Sequence, residues 1–184
     1  MFDGIPATCI DVGNPCVFVQ AADMGVEGAI LADAIENHPD LLPRLDSIHR
    51  QAAVAMGLAK CVDSVPGSIP KIGIVSKPYC HKLISGERVD EADCDVLVRA
   101  ISVGQPHRAV PITVAMALAV ASRLEGSTGH RNTNKDAVDP DGVTIGHDSG
   151  KLLVGANFDQ HGDVMEATVF RTTRRIMEGT VYWK

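Results

Sequence analysis

Apolar residues along this chain follow two spacings. Between Asp40 and Leu58, the residues Leu41, Leu45, Ile48, Ala52, Ala55 and Met56 recur at three- and four-residue steps, the period of a helix with one buried face. Asp40 suits its N-cap, Pro43 falls in its first turn and Gly57 stops it. His49 and Arg50 lie off the apolar stripe and read as solvated. A shorter helix is expected over Gly28–His38. The run Ile112–Leu124 (ITVAMALAVASRL) differs, being apolar on nearly every face with Ser122 and Arg123 polar near its end. A helix apolar all round is a buried one.

The second spacing is that of strands. Ala7–Val12 and Cys16–Val19 flank a hinge at Gly13-Asn14-Pro15, and Lys71–Ser76, Cys94–Val103, Lys151–Ala156 and Asp163–Thr172 are further β-prone runs. A turn at His147-Asp148-Ser149-Gly150 makes a hairpin of Thr144–Asn157. Cys61–Pro70 reads as a loop, Glu125–Gly142 as a mobile surface loop, and Arg174–Gly179 as a short helical turn. The pattern describes one mixed α/β domain, a sheet wrapped around a buried helix.

Composition narrows the function. A formal charge of −6 and a pI near 5.6 argue against a nucleic-acid or membrane-surface binder, and only 4% of residues are aromatic, too few for base-stacking platforms. Cys9, Cys16, Cys61, Cys80 and Cys94 are odd in number, show no C-x-x-C spacing and follow no secretory leader after Met1. They read as reduced thiols of a cytoplasmic protein. No apolar run has the length of a membrane span. Cys80 and His81 are adjacent, but no second pair at ligand spacing accompanies them, so no metal is expected.

Candidate chemistry gathers at Ser102–Thr113 (SVGQPHRAVPIT), which joins a strand to the buried helix. Pro111 suits a first helical position, and the free N–H groups of that turn, with the positive end of the helix dipole, form a ready site for a carboxylate or phosphate beside His107 and Thr113. The alternative is a strand-to-helix turn shaped by its glycine and prolines, with a surface histidine. Asn14 and Cys16 present the same choice: ligand contact at a strand end, or a turn amide with a small buried thiol.

Several pieces, in order, resemble the PrpF-like family of 2-methylaconitate isomerases, methylitaconate isomerases and 4-oxalomesaconate tautomerases. They are Asp11–Val19 (DVGNPCVFV), Arg50–Leu58, Pro70-Lys71-Ile72, Ser102–His107 (SVGQPH), Gly146–Gly150 (GHDSG) and Arg171–Gly179. The resemblance implies one lobe of the diaminopimelate epimerase-like fold, the second of two, with a mixed, mostly antiparallel sheet. It implies an isomerase of unsaturated di- or tricarboxylic acids, working by allylic proton shift or cis–trans isomerisation without a cofactor. The family's Lys and Cys acid–base pair belongs to the first lobe and is not expected in this chain. Cys16 and His107 then stand as catalytic candidates, with Asn14, Ser102, Gly104, Gln105, Thr113 and Ser149 as carboxylate contacts. The partners implied are a small carboxylic acid and either a second copy, in a homodimer, or a complementary first-lobe subunit. The other reading is a non-catalytic carboxylate-binding protein of the same fold.

Overall fold

In a computed structural model, residues 1–172 and 174–183 are described, and Thr173 and Lys184 lie outside them. The chain opens with the expected hairpin, β1 (Ala7–Asp11) and β2 (Pro15–Gln20), turning at Gly13 with φ 76°. Two short helices follow, α1 (Ala21–Met24) and α2 (Ala32–Glu36), and then α3 (Leu41–Ala55). The helix expected over Gly28–His38 shrinks to α2 because the preceding backbone bonds elsewhere. The Ala29 N–H donates to the Tyr79 hydroxyl and the Ile30 carbonyl accepts from Arg99 Nε, both at 2.8 Å.

α3 begins and ends as its spacing predicts, with Gly57 at φ 74° just beyond it. Asp40 occupies the N-cap position without capping through its side chain, and His38 Nδ1 accepts from the Asp40 and Leu41 amides instead. His49 is buried rather than solvated, because the buried face also takes in positions one residue beyond Ile48 and Ala52.

The central strands are β3 (Lys71–Ser76) and β6 (Val96–Ser102). A small hairpin, β4 (His81–Lys82) with β5 (Arg88–Val89), lies between them in sequence. After β6 come β7 (Gln105–Pro106) and the helices α4 (Ile112–Arg123) and α5 (Thr128–Asn132). The chain continues through β8 (Val143–His147), β9 (Gly150–Phe158) and β10 (Val164–Val169). The large sheet runs β1-β2-β3-β6-β8-β9-β10, with β7 on β6. It is antiparallel except where β2 meets β3 and β6 meets β8.

α4 touches β1 and β2 at one margin of the sheet and β8, β9 and β10 at the other, so the sheet curls around it. Strand alternation divides the core accordingly. Cys16 and Phe18 point to α4 with Val96, Val98 and Ala100, while Val17 and Val19 face α1–α3 with Ile72, Ile74 and Ile101.

Two expectations fail near the C-terminal third. The loop Glu125–Gly142 contains α5, whose Thr128, Gly129 and Asn132 are buried against the end of α4. Arg174–Gly179 has no regular structure. Ile176 and Met177 are more than four-fifths exposed, and so short a helix does not hold without packing.

Candidate carboxylate-binding site

Register brings the sequence-derived candidates to one end of the sheet. Asp11 pairs with Pro15 across the first turn, Cys16 lies beside Lys71, Ile72 opposes Ile101, and Ser102 opposes Gln105. The β8–β9 turn, His147–Gly150, reaches the same end because β8 runs parallel to β6. It is tied to the approach to α4 by Ser149 Oγ, which donates to the Arg108 carbonyl at 2.5 Å. By alternation Lys71 shares its face with Val75, and Ser102 with Ala100, both of which pack towards α4.

α4 begins at this end, since α5, which follows its far end, bonds through Asn132 to Gln20 at the opposite end of β2. The Ala115 N–H is satisfied by the Pro111 carbonyl, and Pro111 at the N-cap supplies no side-chain cap. The amides of Ile112, Thr113 and Val114 precede the first intrahelical bond, where the dipole is positive. Ile112 is 49% exposed, Thr113 is half-buried and Val114 is buried, while Gln105, His107, Arg108 and Ala109 are exposed. Gly104 forms the tip of the β6–β7 turn at φ 70°, and Asn14 is half-buried in the β1–β2 turn. A cleft of about 270 Å³, lined by Leu45, Ile72, Ile101 and Val103 together with Asp46, His49 and Arg50, backs the Ser102–Gly104 turn on the α3 side.

Electrostatics separates the two catalytic candidates. His107 has its pKa lowered, first by partial desolvation and then by the nearby Lys71 ammonium, so its imidazole is neutral at pH 7. Cys16 is fully buried in the α4 core. Its thiol is pushed up to about 12 by burial against a smaller opposing pull from Lys71, and its Sγ–H rests on the Asn14 carbonyl at 3.4 Å. A thiol in that setting does not ionise near neutrality, so the geometry withdraws Cys16 from proton transfer and leaves it as core packing. Ser149 is also reassigned, since its hydroxyl is engaged by the Arg108 carbonyl and it positions the turn.

Three groups at this end escaped the sequence reading. Lys71 places an ammonium near both Cys16 and His107; a lysine opening a strand directly after Pro70 was the available signal. Arg99 and Asp148 form a fully buried pair, Arg99 Nε lying 2.5 Å from Asp148 Oδ1. Asp148 Oδ2 accepts from the Ala32 amide at 2.9 Å, so the pair ties β6, the β8–β9 turn and the start of α2 together. Burial raises the Asp148 pKa and lowers that of Arg99, each against the pull of its partner. An arginine in the middle of the most apolar strand was its only trace in the sequence. His147, buried beside them, is depressed to about 4 by desolvation, then by Arg99 and Arg171.

A mixed sheet curled around a buried helix, with Lys71, His107 and Arg108 at the end where that helix begins, defines the class of fold. Comparison with known proteins identifies its lineage: residues 2–184 match the PrpF protein family, and the chain belongs to it. It is 35% identical to a 2-methyl-aconitate isomerase of Shewanella oneidensis, over 95% of this chain and 45% of that protein. It is 32% identical to a 3-methylitaconate isomerase of Eubacterium barkeri, over 97% and 47% respectively. A crystal structure of methylitaconate-delta-isomerase superposes with a TM-score of 0.86 at 31% identity, covering 96% of this chain and 46% of that one. The chain thus spans about half the length of the curated relatives it matches.

Proposed function

We propose that this chain is the carboxylate-holding lobe of an isomerase that shifts a double bond along an unsaturated di- or tricarboxylic acid, without a cofactor. The observation that carries the reading is the first turn of α4, without a side-chain cap and half-exposed at Ile112, at the end of the sheet where Lys71 lies near His107. Allylic isomerisation removes a carbon-bound proton and returns one elsewhere, while negative charge builds on the conjugated carboxylate. Fixed amides and an ammonium aimed at that carboxylate stabilise the enolate-like transition state, and the neutral His107 imidazole is able to accept a proton. Ser102, Gln105, Thr113 and Asn14 orient the acid.

The site is half-walled, and the open face is where a companion lobe closes over the substrate. That lobe is a second copy of this chain or a complementary first-lobe subunit, and the family resemblance assigns it a Lys and Cys acid–base pair. The buried, neutral Cys16 favours a second reading for this lobe alone, in which it binds carboxylates without moving protons.

Deuterium incorporation into trans-aconitate in D2O, followed by proton NMR, distinguishes the two readings. Exchange by the chain with its companion supports the isomerase, whereas binding without exchange supports the binder. His107→Ala and Lys71→Gln are each expected to weaken carboxylate binding by about 1–3 kcal/mol, the usual cost of losing a hydrogen bond to charge. Unchanged affinity in both variants removes the site.

A further inference from the structure

The end of the sheet opposite the carboxylate candidates carries a groove whose charge runs against that of the chain. It encloses about 1080 Å³ between Gln20 at the end of β2, Val143 at the start of β8 and the close of α4. Lys77, Arg123, Arg131 and Lys135 line it together with His130, in a chain of formal charge −6. Lys77 follows β3, Arg123 ends α4, and Arg131 and Lys135 belong to α5 and the residues after it, so the fold gathers these cations from separate segments. Among the described residues none of the four forms an ion pair.

Negative groups are correspondingly withdrawn from the groove. Glu125, Asp136, Asp139 and Asp141 lie on the same segments but do not line it. Asp95 does, yet it is buried, and its two oxygens accept from the Val138 amide at 2.9 Å and the Thr144 amide at 2.7 Å. At the close of α4, where the helix dipole is negative, the Ala121 carbonyl accepts from Ser127 Oγ and the Leu124 amide. Like charges gathered in a concavity without counter-charge focus a positive field there, which a bound anion relieves.

We propose that this groove binds a compact polyphosphate, either a free phosphate chain or that of a phosphorylated small molecule. Arginine forks take phosphate oxygens through paired bonds and lysines serve as point charges, and four cations spread along one groove exceed what a single orthophosphate meets. The lining carries no aromatic ring to hold a base, and its apolar side chains are Ala137 and Val143 alone. The acidic remainder of the chain repels a long polyanion and so favours a small one. This inference is independent of the carboxylate reading above.

Isothermal titration of the full chain with sodium tripolyphosphate tests it. Arg123→Gln and Lys135→Gln are each expected to weaken binding by about tenfold, as losing a hydrogen bond to a charged group does, while Lys71→Gln at the other end of the sheet leaves it unchanged. Both groove side chains are exposed, and circular dichroism checks that the variants fold. ATP is expected to bind within about threefold of tripolyphosphate, because nothing on the lining stacks on its base. Absence of binding, unchanged affinity in both groove variants, or a loss confined to Lys71→Gln overturns the groove as an anion site. ATP or a short DNA duplex binding about tenfold tighter than tripolyphosphate overturns the polyphosphate assignment in favour of a nucleotide or nucleic acid.

Discussion

The two ends of α4 are built in opposite ways. At its C-terminal end, Ser127 Oγ donates to the Ala121 carbonyl at 2.5 Å, and Thr133 Oγ1 donates to the buried Ser122 hydroxyl at 2.8 Å. Gly129 approaches so closely that an added Cβ would lie 2.9 Å from Ala121. Helix carbonyls otherwise without partners are covered by α5, as a buried helix end requires. At its N-terminal end there is no side-chain cap, Ile112 is half-exposed, and Lys71 lies near His107. One apolar rod through one core is thus covered by side-chain donors at its C-terminal end and left without a side-chain cap at its N-terminal end, where the proposed carboxylate would sit. What holds the open end in shape is the buried polar cluster behind it.

Breaking that cluster should produce the largest effect. Asp148→Ala leaves the Arg99 guanidinium charged and unpaired in the core, and destabilisation of about 3–5 kcal/mol is expected in urea unfolding. A loss under 1 kcal/mol would show that the turn is held by other contacts. His147 gives the next effect, and it depends on pH. Its folded pKa, about 4, lies below the unfolded value near 6.5, so the unfolded chain binds the proton first as pH falls. Its stabilising contribution is complete above pH 6.5 and is lost progressively down to about pH 4, by about 3 kcal/mol in all. Urea midpoints between pH 7 and 4 should fall for the unaltered protein, and His147→Asn should flatten that slope.

The contrast between the ends also explains what the sequence disclosed. The run Ile112–Arg123 was readable as a buried helix because a rod apolar on every face has one physical solution, and the strand-to-helix turn before it carried its own glycine and proline marks. α5 was hidden because Thr128–Asn132 is polar in composition and becomes buried only through hydrogen bonds to distant residues, such as Thr128 with Thr8. Cys16 was assigned to the site and Lys71 passed over for the same reason. Whether a thiol faces a core or a ligand, and whether an ammonium stands beside it, is set by the parallel pairing of β2 with β3, which no local pattern announces.

The smallest expected effect lies at the tip of the open end. Val103 holds φ at 53° and Gly104 at 70°, so both central residues of the β6–β7 turn are left-handed, the form whose twist suits a two-residue hairpin. Glycine takes that conformation freely, but a β-branched residue pays for it with contact between its side chain and the backbone. Val103 recovers little by burial, being 66% exposed at the mouth of the cleft on the α3 side. Val103→Asn converts the turn to Asn-Gly, the pair best suited to it, and should stabilise the protein by about 1 kcal/mol in urea unfolding. Because Val103 borders the α3-side cleft, carboxylate affinity should be unchanged. A stability gain accompanied by lost affinity would mean that the strained tip itself shapes the site, and would extend the open end from the helix amides to the turn beside them.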